Sequence, residues 1–90
     1  MQPNFQEELT MTQTGFLTSK TGKRFIRVEF LRKGNGGFDT AEGIIPGYKI
    51  VKQKGFSEDE VACLEFYLKH NKEEFLARAK ELSNPLHWFG

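Results

Sequence analysis

Between residues 14 and 53 apolar and polar side chains alternate, and beyond Gly55 the apolar positions recur every three or four residues. A period of two sends successive side chains to opposite faces of a strand, whereas a period near 3.6 lines one stripe of a helix. The clearest strand covers residues 24–33, where Ile26, Val28 and Phe30 alternate with Arg27 and Glu29. Residues 16–19 precede it across the turn Lys20-Thr21-Gly22-Lys23, in which Gly22 tolerates a positive φ. After it, Asn35-Gly36 favours a tight hairpin turn whose twist matches the flanking strands, returning the chain through residues 38–45. Pro46-Gly47 then predicts a type II turn into a fourth strand over residues 48–53. Within that strand Tyr48, Ile50 and Lys52 are expected to face opposite to Lys49, Val51 and Gln53.

Ser57 and Glu60 have the spacing of a capping box, with Glu58 and Asp59 beside them in the first turn, opposing the positive end of the helix dipole. The helix they open runs to residue 71, with Val61, Leu64, Tyr67 and Leu68 on one arc and Cys63 at its margin. Glu65 and Lys69 form an i,i+4 pair on the other side. Asn71 and Glu74 predict a second capping box, opening a helix whose apolar face is Phe75, Leu76, Ala79 and Leu82 and which Asn84-Pro85 ends. This order implies an α+β fold, a four-stranded antiparallel meander packed on one face by a C-terminal helical hairpin. Residues 14–90 form the domain. Residues 1–13 are expected to be a flexible or short-helical segment, in which Asn4 and Glu7 are spaced to cap a turn that brings Phe5 and Leu9 to one face.

Ninety residues at 38% hydrophobic content suit one small domain with a single core. Phe16, Phe30, Phe56 and Phe75 fall at core positions, which accounts for several of the nine phenylalanines. No run approaches the roughly 18 apolar residues of a membrane span, and residues 1–13 lack the apolar stretch of a secretory signal. The expectation is a cytoplasmic protein with no membrane contact.

Cys63, His70 and His87 stand at no spacing of a known metal site, so neither a metal nor another cofactor is expected. Cys63 and His70 are seven helical positions apart, about 10 Å along the axis, too far for a thiol to meet its base. The run Arg32-Lys33-Gly34-Asn35-Gly36-Gly37 has the glycines of a phosphate loop but leads into a strand rather than a helix. Asp39 and Glu42 sit in strand and turn positions, and the acidic residues at 58–60 are explained by capping. No residue pair nominates itself for catalysis, and the protein reads as non-catalytic.

Charge is where the sequence points to function. Residues 20–54 hold nine basic side chains against three acidic ones, whereas residues 55–90 hold four against seven. A net charge of +1 therefore conceals a basic sheet and acidic helices. Several basic residues are interleaved with Phe25, Phe38 and Tyr48, and the candidate binding residues are Arg24, Arg27, Lys33, Lys49, Phe25 and Tyr48. Arg27 and Lys33 should project away from the core, with Arg24 near the turn able to swing either way. Trp88 and Phe89 in the apolar tail join the candidates, as anchors to the core or to another chain. The expected role is a small accessory, regulatory or inhibitory protein binding an acidic protein surface. A sequence-tolerant binder of single-stranded nucleic acid fits the same residues, through cations on phosphates and aromatics on bases. A homodimer through the aromatic C-terminus is a further expectation, and an uncharacterised small enzyme is the third functional class.

Overall fold

The computed structural model describes residues 9–34 and 36–83. It is α+β: an antiparallel sheet packed on one face by two C-terminal helices. The strands are β1 (Leu9–Gln13), β2 (Leu17–Thr18), β3 (Arg24–Gly34), β4 (Gly37–Ile45) and β5 (Lys49–Lys54), followed by α1 (Glu58–His70) and α2 (Lys72–Ser83). The order across the sheet is β1-β3-β4-β5, with β2 pairing the same edge of β3 as β1 does.

The expected meander is present as β2 through β5, and β1 is an addition to it. Leu9–Gln13 lies in the segment expected to be flexible or helical, and it pairs with β3 from Leu9 opposite Arg32 to Gln13 opposite Val28. Leu9 accordingly serves a strand rather than a helical turn, while Asn4, Phe5 and Glu7 lie outside the described residues. An isolated five-residue polar strand has little local preference, so the open edge of β3 decides its state. Thr14 carries the chain from β1 towards β2. Its amide donates to the Arg27 carbonyl at 2.9 Å, and its hydroxyl accepts from the Arg27 amide at 3.0 Å.

The β2–β3 turn closes as expected, with Ser19 N–H donating to the Lys23 carbonyl and Gly22 at φ 84°. The β4–β5 connection differs from a type II turn. The Ile45–Pro46 peptide is cis, Gly47 and Tyr48 both have positive φ, and Tyr48 N–H donates to the Ile44 carbonyl. The Tyr48 side chain packs at the margin of the core.

Ile26, Val28 and Phe30 of β3 meet Ala41 and Ile45 of β4 and, from the helices, Leu64, Leu68, Phe75 and Ala79, with Phe56 completing the buried cluster. Phe16, Tyr48, Ile50 and Val61 pack at its edge. α1 lies close because Gly43 faces it without a side chain: a Cβ there would come within 2.6 Å of Leu68 Cδ1. α2 buries only Phe75 and Ala79, four residues apart, leaving Leu76 and Leu82 exposed despite their place on the expected apolar face. Two polar ties hold it: Gln13 Nε2 donates to the Phe75 carbonyl at 3.0 Å, and Phe16 N–H donates to Ser83 Oγ at 2.9 Å.

The Ser57–Glu60 capping box forms in full. The second box does not. Asn71 instead ends α1, its side-chain amide donating to the Tyr67 carbonyl at 3.0 Å. Glu65 also departs from its expected pairing with Lys69, since its carboxylate accepts the Ile50 amide of β5 at 2.9 Å. A backbone donor at a sheet edge is a fixed, partly desolvated partner, whereas an exposed lysine gives a carboxylate little.

Candidate functional site

Both helices pack on one face of the sheet, and the register fixes which side chains are left on the other. Directly opposed residues of antiparallel strands share a face. Bare among the described residues, that other face consists of transverse rows: Leu17 beside Phe25; Arg27, Ile44 and Lys49; Thr12, Glu29, Glu42 and Lys52; Thr10, Leu31, Thr40 and Lys54; and Lys33 beside Phe38. Five cations stand among two carboxylates on this surface.

The β5 lysines reach this face together because of a bulge. The pairing of β4 with β5 shifts between Glu42 and Gly43, so that Glu42 faces Lys52 while Gly43 faces Ile50. An extra residue on one strand reverses the alternation beyond it. Lys52 and Lys54 consequently share the face of Lys49 rather than that of Ile50 as strict alternation requires, and Gln53 turns to the helix side, where its Oε1 accepts the Phe56 amide.

The other candidates separate by the same logic. Arg27, Lys33, Lys49 and Phe25 lie on the bare face, Phe25 half-buried beside Leu17. Arg27 is half-buried as well, and its Nε is enclosed without an acceptor. Arg24 is not part of this surface: it has the parity of Ile26, and its guanidinium lies 5.2 Å from the centre of the Phe16 ring. Tyr48 packs against the helix-side core and so is not a free stacking platform. Trp88 and Phe89, and with them the expected C-terminal homodimer contact, lie outside the described residues.

An antiparallel sheet commonly keeps one wet face, and threonines and lysines there need no special explanation. Exposed large apolar side chains are the departure. Phe38 is 58% and Leu31 38% exposed; Phe38 stands opposite Lys33, and Leu31 two residues before it on the same face. Between Leu31, Thr10, Thr12 and Thr40 the surface dips into a depression of about 290 Å³, which Glu29, Glu42 and Lys52 also line.

The remaining charged network belongs to the other face. Arg32 shares the helix side with Phe30, and its guanidinium binds Asp39 of β4 at 2.9 Å, the Gly55 carbonyl at 3.2 Å and the Glu60 carboxylate of α1. It also covers the Phe56 ring at 4.3 Å. Hydrogen bonding to Arg32, above all, holds the Glu60 carboxyl below the usual carboxylate range, and the Ser57 amide adds to it against the opposing effect of burial. The Arg32 guanidinium is correspondingly held above its ordinary value, chiefly by Glu60. Glu60 thus serves the helix cap and the sheet at once, and Arg32 is committed to structure rather than to a partner.

Cys63 is half-buried on α1. Among the described residues no three metal-ligating side chains cluster, and no helix is long and apolar enough to cross a membrane. No family model, curated protein or solved structure matches the chain.

Proposed function

We propose that the protein is a small non-catalytic binding module that holds an acidic protein surface against the helix-free face of its sheet. The observation that carries this reading is a face that no described element covers, holding five cations, Arg27, Lys33, Lys49, Lys52 and Lys54, with exposed Leu31 and Phe38 beside Lys33. An interface of this kind combines an apolar centre, which contributes affinity, with charges that steer encounter and select the partner. A folded protein suits it better than a nucleic-acid strand. A phosphate backbone needs an unbroken cationic track, and Glu29 opposite Glu42 interrupts the middle row.

The test is recovery of bound partners from native extract at low and high salt, with and without nuclease. Wild type is compared with a Lys49→Gln, Lys52→Gln, Lys54→Gln variant and with a control carrying Lys69→Gln, Lys72→Gln and Lys80→Gln on the helices. The reading expects a nuclease-resistant protein partner that is lost with the β5 variant and kept by the control. Equal retention by both variants overturns it, and a partner that vanishes with nuclease replaces it with nucleic-acid binding.

A further inference from the structure

The two outer edges of the sheet differ. At β5 the Glu65 carboxylate of α1 accepts the outward Ile50 amide at 2.9 Å, and Lys49, Lys52 and Lys54 place charge along the strand. Occupied edge amides and edge lysines keep a strand from pairing with another chain. β1, at the opposite edge, has neither device: Leu9–Gln13 holds no charged residue and no proline. Thr14 continues the register of β1, and its N–H bonds to Arg27. By the alternation of an antiparallel ladder, Thr10 and Thr12 then turn their backbone groups to β3, and Leu9, Met11 and Gln13 turn theirs outward. Among the described residues nothing hydrogen-bonds to those outward groups.

The side chains beside this edge are also open. Met11 lies on the helix side, opposite Phe30, and Met11 and Tyr67 are each 40% exposed. With Phe75 they wall a groove of about 330 Å³ between β1 and α2, and Glu74, Arg78 and Glu81 of α2 line it as well.

We propose that β1 pairs antiparallel with β1 of a second copy of this chain, joining two sheets into one of order β5-β4-β3-β1-β1-β3-β4-β5. A twofold axis at Met11 sets Met11 opposite Met11 and Leu9 opposite Gln13, so that outward donors meet outward acceptors along the whole strand. On the helix side the axis brings the Met11 side chain of each copy to the groove of the other, adding apolar burial to the backbone bonds. α2 runs antiparallel to its counterpart across the axis, which offers Arg78 of one copy to Glu74 or Glu81 of the other. On the opposite face Thr10 stands beside Thr12, a pair without charge repulsion. A second copy fits this edge because the strand is its own complement in register and in charge. The blunted β5 edge ends the assembly at two copies. Both helix-free faces fall on the same side of the joined sheet and stay open, so the pairing is independent of what they bind.

Sedimentation of the full chain over about a hundredfold dilution, with amide hydrogen exchange at both ends of that range, tests this. Self-association is expected to rise with concentration, and the Leu9, Met11 and Gln13 amides to exchange about tenfold slower in the concentrated sample. Met11→Lys and Met11→Glu each set like charges face to face across the axis, and each should weaken self-association about tenfold or more, whereas an equimolar mixture of the two should restore it. A wild-type chain that stays monomeric throughout overturns the proposal. So does protection of the three outward amides that is independent of concentration, which would mean that the chain covers its own edge. Self-association that both single variants retain, or that their mixture fails to restore, overturns it too and places the contact elsewhere on the chain.

Discussion

Arg32 of the sheet and Glu60 of α1 are joined by their side chains, and the same Glu60 carboxylate accepts the Ser57 amide at 2.9 Å. One acidic group therefore closes the helix N-terminus and fastens the helix to the strand beneath it. Folding lowers the Glu60 pKa, so this contribution is complete above the carboxyl's unfolded value, about 4.3, and is lost as pH falls through the lower folded value. Stability should drop on acidification through that window. Glu60→Gln should cost about 1–2 kcal/mol at pH 7 and flatten the acid limb, because its amide cannot titrate. Denaturant unfolding of both proteins at pH 7 and pH 3 measures this, and parallel losses in acid would show that other carboxylates dominate.

Gly43→Ala tests how closely α1 approaches the sheet. The added methyl meets Leu68 Cδ1 at 2.6 Å and Ile50 Cδ1 at 3.2 Å, both in or beside the core. Overpacking of this size costs about 1–3 kcal/mol. A thermal midpoint equal to that of wild type would mean that α1 shifts freely over β4.

Thr14 supplies the only side-chain acceptor recorded for the Arg27 amide among the described residues. Thr14→Val keeps the shape and removes the oxygen, leaving a part-buried donor unsatisfied at a cost of about 1–3 kcal/mol. Thr14→Ser should restore most of it. Hydrogen exchange at the Arg27 amide gives the local readout, faster in the valine variant and near wild type in the serine one.

The β5 lysines should be nearly silent for stability, since exposed charges on a wet sheet face contribute little. Lys49→Gln, Lys52→Gln and Lys54→Gln together should leave the unfolding midpoint within about 0.5 kcal/mol of wild type. A larger loss would assign these lysines to the fold rather than to binding.

Local pattern determined most of the architecture. The alternation of Ile26, Val28 and Phe30, the glycine at position 22 and the Ser57–Glu60 box each express preferences held within a few residues, so four strands, two helices and the outward direction of Arg27 and Lys33 were legible in the sequence. The tertiary structure decided whatever depends on a partner distant in the chain. Leu9–Gln13 becomes a strand because β3 offers an open edge. Glu65 leaves Lys69 for the Ile50 amide, and Asn71 turns back to the Tyr67 carbonyl instead of opening α2. Arg24 and Tyr48, which strand periodicity left among the binding residues, settle on Phe16 and on the core margin. The bulge at the Glu42/Gly43 step matters most for the site, because it rotates Lys52 and Lys54 onto the face of Lys49. A strict period of two carries no sign of such a shift: an extra residue is tolerated only where the facing strand permits it, and that is a property of the assembled sheet rather than of β5.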